Sequence, residues 1–193
     1  MDFVAFSCLS GSQNEMEENL GALFTPKKVK ALQDFVSEEL VVIVDDIEPA
    51  RIWLWETPQE EITEWLRLVK ETRVLPEGWK VELWSDLEKM SRVNYGEILK
   101  KFREPRNALH VHKFFLHMKK FPNKKANFNS GNALREAALR RSAHYALQGV
   151  VLEELFPSAT LLQTETPWAV KDPLYQPLRT RKIPIIHPFE ERR

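Results

Sequence analysis

Cysteine and glycine are scarce in this sequence, and long apolar runs are missing. The single cysteine, Cys8, cannot form a disulfide within the chain. No apolar segment approaches the roughly 18 residues that a helix needs to cross a bilayer, so we expect no contact with a membrane. Asp2 stands where a secretory signal carries positive charge, and only four apolar residues, 3–6, follow it. We therefore expect a cytoplasmic protein without disulfides.

The glycine motifs of nucleotide-binding proteins are also missing. The six glycines form neither Gly-x-Gly-x-x-Gly nor the lysine loop that cradles phosphates. The stretch 89–92, Lys-Met-Ser-Arg, resembles the ATP loop of class I aminoacyl-tRNA synthetases, but its partner His-x-Gly-His is absent and Lys89 falls inside a helical pattern. We therefore expect no nucleotide cofactor.

Three histidines, His110, His112 and His117, are the candidate metal ligands. His110 and His117 share a face of a predicted helix. No cysteine or carboxylate stands at ligand spacing beside them, and their neighbours are basic, which opposes a cation. We therefore expect no metal.

The net charge of zero conceals a strong asymmetry along the chain. Residues 1–99 contain 10 Lys/Arg and 20 Asp/Glu, whereas residues 100–141 contain 12 Lys/Arg and only two acids, and 142–193 contain six of each. Such a basic block is either a solvated face or a site for nucleic-acid phosphates. The candidate phosphate contacts are Lys100, Lys101, Arg103, Lys113, Lys119, Lys120, Lys124, Lys125, Arg135, Arg140 and Arg141.

Strand and helix patterns alternate in the acidic part. They predict strands at 3–7, 39–46 and 79–84 and helices at 25–39 and 57–71. This order is typical of a parallel sheet with helical crossovers, so the expected fold class is α/β, with a Rossmann-like three-layer core and a mostly parallel sheet.

The rest of the chain is predicted to be mostly helical. Helices are expected from a capping box of Ser85 and Glu88, then at 94–102, 107–121 and 131–156, before a last strand at 158–163 and an extended tail with many prolines. We expect a single domain over 1–193 with three parts: the acidic half 1–99, the basic helical part 100–157, and the last strand with the proline-rich wrap, 158–193.

Ligands of open parallel sheets bind at the carboxyl ends of the strands. This rule selects Ser7, Cys8 and Ser10 after the first strand. It also selects Asp45, Asp46 and Glu48 after the second strand, and Trp84, Ser85 and Asp86 after the third. A serine at such an edge is a candidate nucleophile, but Ser-Gly-Ser at 10–12 is also ordinary turn chemistry, and both interpretations stay open.

The long helix contains four polar residues that interrupt its apolar pattern: His144, Tyr145, Gln148 and Glu153. His144 and Gln148 are four residues apart, and Tyr145 and Gln148 are three apart, so each pair shares a face. An imidazole, a phenol and an amide grouped in this way can position an amine or an ester. The alternative is that these side chains are exposed polar residues of an ordinary helix.

The order of these elements resembles that of the cyclodipeptide synthases, Rossmann-like enzymes related to class I tyrosyl- and tryptophanyl-tRNA synthetases. The family has an apolar strand that ends in serine, an aromatic residue that opens a helix, and an apolar strand that ends in aspartate. Here these features read FVAFS, LFTPKKVKALQDF and VVIVDD. A later strand, a helix that begins with serine and a tyrosine correspond to ELWSDLEKMSRVNYGEIL, with Ser85 and Tyr95.

The resemblance implies an ATP-free acyl transfer from aminoacyl-tRNA. Ser7 would attack the ester, carry the aminoacyl group and release a diketopiperazine after a second aminoacyl-tRNA reacts. Besides Ser7, the catalytic candidates are Tyr145, Gln148 and Glu153. The candidates for substrate binding are Ser10, Asp45, Asp46, Trp84, Tyr95 and His144. The basic block would hold the tRNA, and no cofactor is implied.

The sequence also departs from the family pattern. Ser10 stands where the family has asparagine, and Gln163-Thr164 replaces its Tyr-His pair. The long helix of the family has a tyrosine and a glutamate four residues later, whereas here Tyr145 is followed by Gly149 and His144 by Gln148. With these departures, the sequence resembles the arginine-using fungal branch of the family. In an enzyme of that branch, the acids at 45, 46 and 48 would face the guanidinium of the substrate. Two other functions stay open: a non-catalytic tRNA- or RNA-binding module, and a small hydrolase that uses Ser7 or Ser10.

Overall fold

The computed structural model describes residues 3–7, 40–53, 77–120, 130–163 and 185–186, with the single positions 30, 32, 33, 36, 39, 60, 64, 67 and 128. At 3–7, 49–50, 53, 163 and 185–186 it describes the backbone alone.

A five-stranded sheet forms the centre of the fold. The strands are β1 (Phe3–Ser7), β2 (Leu40–Val44), β3 (Trp79–Leu83), β4 (Thr160–Gln163) and β5 (Ile185–Ile186). Their order is β3-β2-β1-β4-β5, and all four pairings are parallel. A run of β-branched residues fills the inner strand β2, as expected for a strand that is covered on both faces. The predicted α/β class with a parallel sheet is confirmed.

The strand order reverses at β1. Strands β1, β2 and β3 follow one another in one direction, whereas β4 lies on the other side of β1. Ser7 is the last residue of β1 and pairs in register with Val44, the last residue of β2. Ser7 therefore lies at the carboxyl edge of the sheet, at the point where open α/β sheets bind ligands.

Five helices are described in full: α1 (Glu48–Trp53), α2 (Trp84–Met90), α3 (Tyr95–Phe102), α4 (Ala108–Lys120) and α5 (Gly131–Leu155), with a 3-10 turn at Pro105–Asn107. Short α1 was not predicted. The Ser85 capping box is wrong, since α2 begins at Trp84 directly after β3, and Leu83 at the N-cap makes no side-chain cap. The predicted starts of the other helices hold: Asn94 caps α3 and Ser130 caps α5.

The first two predicted helices are described at a few positions. Lys30, Leu32 and Gln33 are helical within the first, and residues 60, 64 and 67 are helical within the second. The rest of both helices lies outside the described residues. In the proline-rich tail, β5 adds an edge strand to the sheet beside β4, and the other tail residues also lie outside the described part.

Helix α5 is the largest element and occupies the interior. Its 25 residues extend for about 37 Å, and it packs against α1, α3 and α4. All eight residues from Ser142 to Gly149 are buried. One apolar cluster joins this helix to the sheet through Ile43 and Leu161 and to α4 through Phe114. The interpretation of the α5 polar residues as exposed is therefore wrong for those at 144, 145 and 148.

No helix among the described residues combines the length and the apolar composition that crossing a bilayer requires.

Asn94 gives a direct test of the α3 boundary. Its side-chain oxygen accepts from the backbone N–H of Gly96 at 2.7 Å and of Glu97 at 3.4 Å. Asn94→Ala leaves these donors without the cap, so we expect a loss of about 1 kcal/mol in the free energy of unfolding. Urea denaturation followed by circular dichroism measures it, with Glu97→Gln as the control that keeps the cap. Equal unfolding midpoints for Asn94→Ala and the native chain would contradict the assignment.

Candidate active site

Two buried acids follow β2 at the carboxyl edge of the sheet. Asp45 Oδ1 accepts the backbone N–H groups of Ile47 at 3.2 Å and Glu48 at 3.0 Å, which caps the start of α1. Asp46 Oδ1 accepts the backbone N–H of Ser85 at 2.9 Å, which ties the end of β2 to the start of α2. Both aspartates are fully buried. The sheet edge thus fixes both carboxylates through backbone donors.

The second oxygen of Asp45 meets two side chains of α5. Asp45 Oδ2 lies 2.6 Å from His144 Nε2, and Gln148 donates to the same oxygen from Nε2 at 2.6 Å. His144 and Gln148 stand one helical turn apart and are both fully buried. The predicted pair on one face of the long helix is therefore confirmed as a pair, and it faces the end of β2.

Arg51 of α1 connects this cluster to α2. Its guanidinium forms a bidentate pair with Glu88, through Nη1 to Oε2 at 3.0 Å and Nη2 to Oε1 at 2.9 Å. Nη1 also lies 3.0 Å from His144 Nδ1. The ring of Tyr95 lies under the guanidinium, 4.1 Å from its carbon, and Trp84 Nε1 donates to Glu88 Oε2 at 3.1 Å. The result is a continuous chain of polar contacts across four elements.

A second ion pair lies nearby. Arg141 Nε is 3.3 Å from Oε1 of the fully buried Glu48, and Arg141 Nη2 donates to the hydroxyl of Tyr145 at 3.2 Å. The guanidinium also lies over the ring of Phe114, 5.6 Å from its centroid. The side chain of Arg141 is 13% exposed, so its charge is directed into the protein.

The surroundings shift two ionisation equilibria. Burial on its own raises the pKa of the Asp45 carboxyl, but the neighbouring His144, the hydrogen bonds and the charge of Arg51 outweigh it, so the pKa lies below the ordinary value of 3.8. Asp45 is therefore a carboxylate at neutral pH. Burial raises the pKa of Tyr95 to about 12, so its phenol keeps its proton and donates to the carbonyl oxygen of Arg140 at 3.3 Å.

Two buried oxygens in this region lack partners. Gln148 Oε1 and Ser85 Oγ accept no hydrogen bond from the residues that the structure describes. An unpaired buried acceptor is destabilising by roughly 1–3 kcal/mol, so such atoms in a native site are candidates for contact with a ligand. Since the Gln148 amide nitrogen is directed at Asp45, its oxygen is the group that can receive an N–H donor.

The structure brings most of the predicted site residues together. Asp45, His144 and Gln148 are in direct contact. Four other predicted site residues lie around them: Asp46, Trp84, Tyr95 and Tyr145. Glu153 is half-buried and lies about 140° around α5 from Gln148. The backbone of Ser7 pairs with Val44, the last residue of β2, which directly precedes Asp45. The side chain of Ser7, and the whole of Ser10, lie outside the described residues.

Sequence reasoning missed two members of the site, Arg51 and Glu88. Glu88 was assigned to a capping box, although its carboxylate binds Arg51 and Trp84. The signal for Arg51 was present, because it is the only Lys or Arg between Lys30 and Arg67 and follows the acids at the end of β2. A lone cation among buried acids is expected to pair with one of them.

The basic block divides between surface and interior. The exposed members are Lys100, Lys101, Arg103, Lys119, Lys120 and Arg135, whereas Lys113 and Arg140 are half-buried. Arg141 belongs to the interior pair described above, although the sequence grouped it with the phosphate contacts. Lys124 and Lys125 lie outside the described residues. A cavity of about 550 Å³ opens among the exposed cations, between α3, α4 and α5.

In the described part of the chain, no group of three or more His, Cys, Asp or Glu side chains is arranged to hold a metal ion. His112 is exposed on α4 and His110 is half-buried on the same helix.

The fold resembles that of a solved protein. The structure of a CDPS, a cyclodipeptide synthase, from Fluoribacter dumoffii matches this chain with a TM-score of 0.58 and 14% sequence identity, over 95% of this chain and 88% of that chain. No family model matches the sequence. No curated protein matches it either. At this identity the likeness concerns the fold, and it confirms the Rossmann-like α/β architecture.

Proposed function

We propose that this chain is a cyclodipeptide synthase, which joins two aminoacyl groups taken from aminoacyl-tRNAs into a diketopiperazine. The observation that carries the proposal is the buried cluster of Asp45, His144 and Gln148, built at the sheet edge where β1 ends with Ser7. The fold shared with a cyclodipeptide synthase supports it. The position of the cluster corresponds to the place where such sheets bind ligands.

In the proposed reaction, the Ser7 hydroxyl attacks the ester carbonyl of the first aminoacyl-tRNA. A serine ester forms, the ester bond to the tRNA breaks, and the tRNA hydroxyl takes up the proton. An amide bond then joins this group to the aminoacyl group of a second tRNA, which is released in turn. A second amide bond closes the ring and returns Ser7 to its free hydroxyl. Two esters break and two amides form, so the reaction needs no ATP.

The cluster supplies a polar anchor for the substrate. Gln148 Oε1 is a buried acceptor without a partner among the described residues, and the amino group of an aminoacyl ester is a donor that fits it. The nearby carboxylate of Asp45 favours a positively charged amine. Two aromatic side chains adjoin the cluster, because the Tyr95 ring packs against the guanidinium of Arg51 and Trp84 donates to Glu88.

The acids at the sheet edge have internal partners. Asp45 accepts four hydrogen bonds, and Glu48 pairs with Arg141. A guanidinium substrate would need carboxylates that can turn towards it. The proposal therefore does not extend to an arginine-containing product.

The serine hydrolase hypothesis requires a histidine that can take the proton of the nucleophile. Among the described residues, His144 is the histidine nearest the sheet edge, but Nε2 contacts Asp45 and Nδ1 contacts Arg51, so both ring nitrogens are engaged. The other described histidines lie on α4. This arrangement favours acyl transfer with a substrate amine over hydrolysis by a serine-histidine pair.

The test of the function is direct. Purified protein incubated with a mixture of charged tRNAs is expected to release a diketopiperazine and to gain the mass of one aminoacyl group, both measured by mass spectrometry. Salt-sensitive tRNA binding without product or adduct would support the RNA-binding module instead. Turnover of simple activated esters without tRNA would support the hydrolase.

The exposed cations of α3 are expected to contact the tRNA backbone. Replacing both Lys100 and Lys101 by alanine removes two exposed charges, so the slope of log K against log salt should fall by roughly one to two units. Filter binding of tRNA at several salt concentrations measures the slope. Lys89→Ala is the matched control, because Lys89 is 72% exposed but lies next to Asp86 on α2. An equal loss in the control would contradict a specific footprint.

A further inference from the structure

Arg51 occupies the centre of the polar chain, and the geometry points to a positioning role for it. We infer that Arg51 holds His144 as a neutral imidazole with its proton on Nε2 and, through His144 and Asp45, fixes the side-chain amide of Gln148. The state of the imidazole follows from the structure alone. The consequence for catalysis rests on the proposed function.

Arg51 determines which nitrogen of His144 carries the proton. A guanidinium has donors and no acceptor. The two hydrogens on Arg51 Nη1 serve two acceptors, Glu88 Oε2 at 3.0 Å and His144 Nδ1 at 3.0 Å. Nδ1 therefore accepts, and the ring proton is on Nε2, where it is donated to Asp45 Oδ2 at 2.6 Å. A doubly protonated ring would direct an N–H at the guanidinium, with like charges in contact.

Arg51 is itself held on several sides. Glu88 binds it through two parallel hydrogen bonds, and the face of Tyr95 lies 4.1 Å from its carbon. Its side chain is 16% exposed. The forked, planar group suits this bidentate contact, which a lysine ammonium cannot reproduce. The position of the donor to His144 is thus fixed by α1, α2 and α3 together.

The tautomer of His144 in turn determines how the side-chain amide of Gln148 is held. Asp45 Oδ2 accepts both His144 Nε2–H and Gln148 Nε2–H, and the two nitrogens lie 3.1 Å apart as donors to one oxygen. With the proton on Nδ1 instead, the bare Nε2 would oppose the carboxylate and compete with it for the amide of Gln148. The arrangement that Arg51 selects therefore keeps Gln148 Oε1 directed away from Asp45, as a buried acceptor.

The charged groups that face His144 determine how its ring responds to the loss of Arg51. Asp45 faces it from the end of β2 and Arg51 from α1, while Glu88 of α2 acts through Arg51. On α5 itself, the charge of Arg141 is directed at Glu48. Without Arg51, two carboxylates remain near the ring, and Nδ1 becomes available for a second proton.

The experiment measures the ring directly. In protein with 15N-labelled histidine, the ring nitrogens of His144 are expected to show an unprotonated Nδ1 and a protonated Nε2. The signal is assigned by its loss in His144→Gln. In Arg51→Met the ring is expected to change tautomer or take up a second proton, with an intermediate result for Arg51→Lys. Product formation by Arg51→Met should fall by roughly 10- to 100-fold, mainly in kcat.

Arg67→Met is the matched control, because Arg67 also pairs with a carboxylate, that of Asp86, at 2.9 Å but is 43% exposed. It should leave the ring signals unchanged. A native His144 with its proton on Nδ1, or with both nitrogens protonated, would overturn the inference, as would a folded Arg51 variant with native ring signals. If Arg51→Met does not fold, the inference is tested by the His144 ring signals of Arg51→Lys and of the native protein. The expected ring state without any diketopiperazine would contradict the proposed function and leave this inference standing.

Discussion

Ser7→Ala is expected to abolish both the diketopiperazine and the covalent aminoacyl adduct. The proposed reaction passes through an ester on the Ser7 hydroxyl, and a methyl group cannot form it. Loss of a nucleophile of this kind lowers turnover by roughly a thousandfold or more. The pairing of β1 with β2 uses backbone groups, so the variant should fold as the native chain does. Product and intact mass are both read by mass spectrometry after incubation with charged tRNAs.

Two further serines make this experiment specific. Ser158→Ala changes an exposed turn residue before β4 and should keep native activity. Ser10→Ala tests the nearby serine that the sequence also allowed as a nucleophile. An adduct that persists in Ser7→Ala and disappears in Ser10→Ala would move the ester to Ser10. If Ser7→Ala and Ser10→Ala each formed product at the native rate, acyl transfer through either residue would be refuted.

Asp45→Asn is expected to produce the largest loss of stability among the site variants. The carboxylate accepts two backbone and two side-chain hydrogen bonds while fully buried. An amide nitrogen in place of one oxygen would face these donors with another donor. Each buried donor left without its acceptor is destabilising by roughly 1–3 kcal/mol. Urea unfolding at pH 7, followed by circular dichroism, measures the difference.

The acid dependence supplies a second measurement of the same residue. The pKa of Asp45 is lower in the folded chain than the ordinary 3.8, so its stabilising contribution is complete above that value. The contribution is lost as the pH falls from 3.8 through the folded pKa, because the unfolded chain then binds the proton more tightly. The difference between native protein and Asp45→Asn should therefore shrink in acid. Asp86→Asn, at a half-exposed pair, should change stability by about 1 kcal/mol or less. A constant difference for Asp45→Asn down to strongly acid pH would contradict this assignment.

The sequence predicted the sheet well because its signals are local. The run of β-branched residues in β2 and the alternation in β3 fix where strands occur, and the carboxyl-edge rule then selects Ser7 and Asp45 without any motif. The capping box at Ser85 failed because a carboxylate 39 residues earlier in the chain, that of Asp46, takes the backbone N–H of Ser85.

The composition of the site was harder to predict, since its partners are distant in sequence. Arg51 and His144 are separated by 93 residues, and Arg51 and Glu88 by 37. Charge counts also misplaced Arg141, because a count over 100–141 does not distinguish a solvent-facing cation from one paired with buried Glu48. Helical spacing predicted the pair of His144 and Gln148, but it did not predict their burial, because polar and apolar residues in the middle of α5 are buried alike.

Burial on every side of the middle of α5 limits how the sequence can vary there. A surface helix tolerates change on its outer face, so its mutational tolerance rises and falls with a period of about 3.6 residues. From Ser142 to Gly149 every position of α5 is buried, and the period should vanish from a saturation screen there. At the start of α5, where Gly131, Asn132 and Arg135 are exposed, mutational tolerance should retain the helical period. The middle of α5 will therefore behave in such a screen like the inner strand β2, although its backbone is helical.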